Sequence, residues 1–125
     1  MDRLNTAGKE MARAMTEDQL KTNVLDLAAV FGYHRIHFRP ARTNQGWRTA
    51  YEGEDGYPDI TLMGGTRIIV AELKTQRGKL RDGQLEWLKA ADRSGAIARL
   101  WRPADWIAGE IEDILHEHRP EKARR

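Results

Sequence analysis

The chain has no cysteine, so neither disulfides nor a thiolate metal site can hold it together. Long hydrophobic runs are missing too: no apolar stretch approaches the roughly 18 residues that suggest a membrane span. The opening residues MDRLNTAGKEMARAM lack the continuous apolar segment of a secretory leader, and the expected compartment is therefore the cytoplasm. No internal repeat is visible. Net charge is small, at +2 over 125 residues, and the length suits one ordinary domain rather than two. What remains is a composition of 40% hydrophobic and 32% charged residues, the balance of a soluble globular protein.

Basic residues are clustered. Arg35, Arg39, Arg42 and Arg48 fall in one stretch, and Lys74, Arg77, Lys79 and Arg81 in a second. Arg119, Lys122, Arg124 and Arg125 form a third. The first two flank an acidic motif and suit a phosphate-facing surface, whereas the third reads as a solvated tail.

Residues 1–14 show no sustained pattern and read as a frayed or loosely helical lead. Residues 15–116 read as the domain, and 117–125 as a basic tail. Thr16 and Gln19 form a capping-box signature, and Leu20, Val24, Leu27, Ala28 and Phe31 recur at helical spacing up to Gly32. Tyr33 to Arg39 alternates and reads as a strand stopped by Pro40; residues 41–56 read as a long loop. Strands are expected near Tyr57–Leu62 and Arg67–Lys74, joined at Met63-Gly64-Gly65-Thr66 by a tight hairpin. The second carries apolar residues on both faces, as a central strand covered by helices on each side would. Leu80, Gln84, Trp87, Leu88 and Ala91 mark another helix, Ala96–Trp101 a fourth strand, and Pro103 precedes a last helix with Ile107, Ile111, Ile114 and Leu115. The order αβββαβα describes an α/β fold with a mixed four-stranded sheet flanked by helices.

Symmetric closure of the hairpin about Gly64-Gly65 would set Leu62 opposite Arg67 and Asp59 opposite Val70. Asp59, Glu72 and Lys74 would then share one face, with Glu72 diagonal to Asp59 at roughly 7–8 Å. Two carboxylates and a backbone carbonyl suit a hard divalent cation such as Mg2+. A cation so held favours phosphodiester hydrolysis, with Lys74 placed to orient water or stabilise developing charge. A one-residue bulge in the turn would move Asp59 to the wrong face. Without a ligand, the same residues would be a surface Glu-Lys pair and a Pro-Asp turn.

The series Gly56-Tyr57-Pro58-Asp59, Glu72-Leu73-Lys74-Thr75 with Gly78-Lys79, and Gln84-Leu85-Glu86-Trp87, preceded by Glu17 at a helix start, resembles the PD-(D/E)xK nucleases. Within them it is similar to the small, stand-alone, phage-type VRR-NUC proteins, over about Thr16 to Leu115. The resemblance implies a restriction-endonuclease-like core and a divalent-metal-dependent DNA endonuclease, with Mn2+ substituting for Mg2+. Asp59, Glu72 and the Leu73 carbonyl would be metal ligands and Lys74 catalytic. Stand-alone members resemble Holliday-junction resolvases that act as homodimers on branched DNA. One departure is Arg81-Asp82-Gly83, where a Ser or Thr cap is expected.

Helix geometry adds two residues. Glu17 shares the stripe of Leu20 and Val24 and is either an inward-pointing site acid, an additional candidate ligand, or a first-turn acid favoured by the helix dipole. Gln84 lies on the apolar stripe of its helix and is either a buried amide serving the site or a cap for the helix start. Among nucleic-acid contacts, His37, Arg39, Arg42, Arg77 and Lys79 are candidates; His34 lies on the opposite strand face from His37. His116 and His118 are expected to bind nothing specific, and Trp101 and Trp106 to pack a core or a subunit interface. A non-cleaving nucleic-acid-binding module of the same fold is the competing expectation.

Overall fold

A computed structural model of the chain describes residues 3–38, 41–43, 46–48 and 52–124. Residues Thr6–Ala14 form α1, Glu17–Phe31 α2, His34–His37 β1, Ala41–Thr43 β2, Gly46–Arg48 β3, Ile60–Met63 β4 and Ile69–Leu73 β5. Asp82–Arg93 is α3, Ile97–Trp101 β6, Pro103–Ile107 α4, Glu110–Glu117 α5 and Glu121–Arg124 α6. The main sheet runs β1-β4-β5-β6, with antiparallel neighbours up to β5 and a parallel β5–β6 pair. The parallel pair requires a crossover, which α3 supplies. This is the expected mixed four-stranded sheet with helices on its faces.

Helix α2 starts where the sequence predicts. Thr16 Oγ1 accepts from the Gln19 N–H, and the Gln19 side chain accepts from the Thr16 N–H. The helix ends at Gly32, whose φ of 91° is open to glycine at little cost. Leu20, Val24 and Ala28 of α2, with Ile111 and Leu115 of α5, bury against Ile60, Leu62, Ile69, Ala71, Leu73 and Trp101 on one face of the sheet. The other face presents Val70 and Glu72, and α3 turns Gln84 and Leu88 inward. Every residue of β5 is buried, as a central strand covered on both sides must be. Trp101 is core and Trp106 packs against it, so the core reading of both holds.

Four expectations change. The lead is a regular nine-residue helix: Asn5 caps it through a bond from the Gly8 N–H, and buried Gly8 and Ala12 accompany its packing on α4. Within the expected long loop, β2 and β3 pair as a small ribbon. Two helices replace the last one, because Gly109 at φ 83° breaks the chain after α4. Finally, the hairpin register is Ile60↔Ala71, Thr61↔Val70 and Leu62↔Ile69, two places beyond the symmetric closure.

The physical reason for that shift is the end of α5. The Thr66 N–H donates to the His118 carbonyl at 3.0 Å, and the Thr66 hydroxyl bonds His118 Nδ1 at 2.8 Å. Gly65 lies so close to that carbonyl that a Cβ would stand 2.0 Å from it. Committed to α5, these turn residues cannot join the ladder. His118 therefore has a specific partner after all, and His116 packs edge-on against Phe31.

Candidate active site

A two-residue shift is even, so it leaves every side chain on its expected face. It changes the pairing instead: continued one place past Ile60↔Ala71, the register sets Asp59 directly opposite Glu72 rather than diagonal to it. One place further, Pro58 stands opposite Leu73. Proline has no N–H to give the ladder, and the Asp59 carboxylate takes over as partner, accepting from the Leu73 N–H at 2.8 Å. The Leu73 carbonyl, on the same strand edge, has no N–H to receive from Pro58. The Pro-Asp pair thus ends the β4–β5 ladder and brings the Asp59 carboxylate beside Glu72 and the Leu73 backbone.

Glu72 is 2% exposed, and its two donors both reach one of its oxygens. Gln84 Nε2 donates a short hydrogen bond to its Oε2, and Lys74 Nζ lies 3.5 Å from the same oxygen. Its other oxygen, Oε1, is buried with no hydrogen-bond partner; it is the one such side-chain atom among the described residues. Burial first, and the neighbouring Asp59 carboxylate second, push the Glu72 carboxyl up to about 8, with Lys74 pulling the other way. A carboxylate so placed gains from any cation that replaces its proton.

Gln84 engages two partners at once. While its amide nitrogen holds Glu72, its Oε1 accepts from the Arg81 N–H at 2.9 Å and closes the first turn of α3. This compensates for Arg81, which offers no side-chain cap. Glu17, at the first position of α2, keeps an exposed outer surface, yet its carboxyl is raised by burial, then by Asp59, against the pull of Lys74. It belongs to the electrostatic field of the site from the opposite helical layer.

Two glycines allow the close packing. Gly56 has φ 98°, and a Cβ there would stand 2.6 Å from the Gly83 carbonyl carbon, so this turn lies directly against the first turn of α3. Gly78 faces the stem of Lys74, where a Cβ would meet Lys74 Cβ at 3.3 Å. The loop containing Gly78 is fixed by Arg102, a residue with no sequence signal. Its guanidinium donates to the carbonyls of Thr75 at 2.8 Å and Gly78 at 2.6 Å, and Gln76 Oε1 accepts from the Ala104 N–H. The loop is thereby tied to the start of α4 while Arg77 and Lys79 stay exposed.

Not all candidates gather here. Strand alternation sets half-buried His37 on the face of Ile60, its partner, away from Asp59. Arg39 lies outside the described residues, and of Arg42 only the backbone, in β2, is described. Among the described residues no group of three or more His, Cys, Asp or Glu is assembled to hold a metal ion. The available ligand set is two carboxylates and a carbonyl. All are hard oxygens, which suits a cation that keeps much of its water. Comparisons with protein-family models, with curated proteins and with solved structures found no match to this chain.

Proposed function

We propose that the chain is a divalent-metal-dependent endonuclease that hydrolyses phosphodiester bonds in DNA. The observation that carries this reading is the buried, unpartnered Glu72 Oε1 beside Asp59. Burying a carboxylate oxygen without a donor is costly, and a ligand cation offsets that cost. Asp59, Glu72 and the Leu73 carbonyl would hold Mg2+, with Mn2+ as a substitute. Such a cation would polarise a phosphoryl oxygen and lower the pKa of water.

The chain's own groups supply the rest. Gln84 holds the Glu72 carboxylate in one rotamer through its amide. Lys74, whose side chain is 16% exposed, brings a positive charge to the edge of the pair, where charge develops on phosphorus-bound oxygens. Arg77 and Lys79 offer phosphate contacts beside it. The VRR-NUC resemblance adds branched DNA as substrate and a homodimer, since two symmetric cuts need two symmetric sites. A cytoplasmic location agrees with this reading, and no helix among the described residues is long and apolar enough to cross a membrane. A non-cleaving binding module is less favoured, because pure binding gains nothing from carboxylates turned toward phosphates.

The test uses purified protein and its Asp59→Asn variant with labelled single-stranded, duplex, flap and four-way substrates in Mg2+, Mn2+ or chelator. Cleavage that needs metal and falls to background in the variant is expected. A parent that cuts nothing, or a variant that cuts equally well, would overturn the proposal.

A further inference from the structure

The sheet face that carries Asp59 and Glu72 is only half covered. Helix α3 packs over β5 and β6. Around β1 and β4, Thr61 is buried beneath Tyr57, but Ile36, Met63 and Phe38, just past β1, stay open on this face at 49%, 48% and 42% exposure. Tyr57, two residues before Asp59, is 41% exposed. Exposed apolar groups are ordinary singly, but a contiguous set beside a charged site marks a ligand surface.

These side chains form an ordered row. Phe38 meets Tyr57 edge-on with centroids 5.6 Å apart, and Tyr57 meets Trp87 in the same manner at 5.1 Å. Polar tips are already engaged: the Tyr57 hydroxyl bonds Thr61 Oγ1 at 2.8 Å, and Trp87 Nε1–H donates to the Asp55 carbonyl at 3.0 Å. The rings are thus held in place, and their remaining open surface is apolar. The row also adjoins the carboxylates, because the Phe38 N–H donates to the Asp59 carbonyl at 3.4 Å.

We infer that the Phe38-Tyr57-Trp87 ledge stacks unpaired bases of a nucleic acid whose backbone reaches the Asp59–Glu72 pair. This inference rests on the nuclease reading and names its substrate class: DNA with a single-stranded segment at the cut. Phe38 follows β1 and Tyr57 precedes β4 on the one side of the carboxylates, whereas Lys74 and the basic loop with Arg77 and Lys79 follow Glu72 beyond the end of β5. A single strand carries both matching chemistries, phosphate charge for the basic flank and open base faces for the aromatic one. A closed duplex keeps its base faces inside its own stack and has nothing to lay on the ledge.

The test measures binding in chelator, so that no strand is cut. Oligonucleotides carrying an unpaired 2-aminopurine are titrated alongside a blunt duplex of the same sequence. Replacing Phe38 and Tyr57 by Leu keeps the surface apolar. That double variant should lose roughly tenfold or more in affinity for the unpaired substrate. Its duplex affinity should hold within about twofold, since the phosphate contacts are untouched. Phe38→Trp, which restores an aromatic face, should bind as the parent does and controls for folding. Equal losses on both substrates would overturn the ledge, as would unchanged affinity. So would loss of a dimer in sedimentation of the double variant, which would assign the patch to a second copy. Cleavage is assayed separately in Mg2+. A parent that prefers unpaired DNA but cuts nothing defeats the nuclease reading, whereas a parent that cuts yet shows no such preference defeats only the ledge.

Discussion

The β4–β5 hairpin treats its polar groups in opposite ways at its two ends. At the turn, Thr66, His118 and Tyr33 satisfy themselves within the chain: N–H to carbonyl, hydroxyl to imidazole, and phenol to the Leu115 carbonyl at 2.7 Å. At the other end, Pro58 withdraws a donor, Glu72 Oε1 finds none, and two carboxylates face each other. The same pair of strands therefore has one end finished by its own residues and one end that leaves a buried carboxylate oxygen without a donor beside a second carboxylate. Buried groups without partners are rare because they are costly, and one that persists marks a place where function rather than stability sets the residues.

If the contrast is real, substitutions at the open end should change chemistry and those at the closed end stability. Lys74→Ala is expected to lower the cleavage rate by about 10²–10³-fold. Calorimetric Mg2+ affinity should remain, and an unchanged rate would remove Lys74 from the mechanism. Arg102→Ala should cost about 10–100-fold, as supporting partners of a site do. Because Arg102 acts through the Gly78 loop, added guanidinium should restore part of the rate; no restoration, together with a lowered melting temperature, would make its role purely structural. Gly65→Ala forces a Cβ toward the His118 carbonyl and should cost about 1–3 kcal/mol in urea unfolding. Cleavage per folded molecule should not change. A stable variant with a dead site would show that the two ends are not separate.

The last effect, spread over several pH units, is the pH dependence of Glu72. Its carboxyl ordinarily titrates near 4.5 and is pushed up to about 8 here, so the metal-free folded chain holds a proton that the unfolded chain releases earlier. Its contribution to stability is complete below about 4.5, falls as pH rises through that window, and is lost above about 8. Saturating Mg2+ should flatten this slope, and its binding should release protons near neutral pH, measurable in buffers of different ionisation enthalpy. Glu72→Gln should remove both signals. A slope that survives in the variant assigns it to another group.

Much of this was legible in the residues because faces depend on parity alone. Asp59 and Glu72 keep to one side whether the hairpin closes at the expected register or two places on. The actual register was not legible, since it depends on His118, a tertiary partner 52 positions from Thr66. Helix α1 was legible only as a frayed or loosely helical lead for a related reason: nine residues have little helicity alone, and the packing of α1 on α4 compensates. Gln84 could be placed inward by spacing, but its double engagement could not be separated into one role. Arg102 left no trace, because donation to backbone carbonyls demands no particular sequence in the acceptor. The phosphate-binding part of His37 loses support, since alternation turns it to the other face.

The tie between Thr66 and His118 bears on the order in which the molecule assembles. A hairpin is ordinarily a local event, complete within microseconds of its strands meeting. Here the bonds of the turn to His118 can form only once the end of α5 is in place, so contacts at a local turn inherit the delay of a distant one. Interactions at Gly65 and Thr66 should then be absent from the folding transition state, and weakening them should speed unfolding while leaving the folding rate almost unchanged.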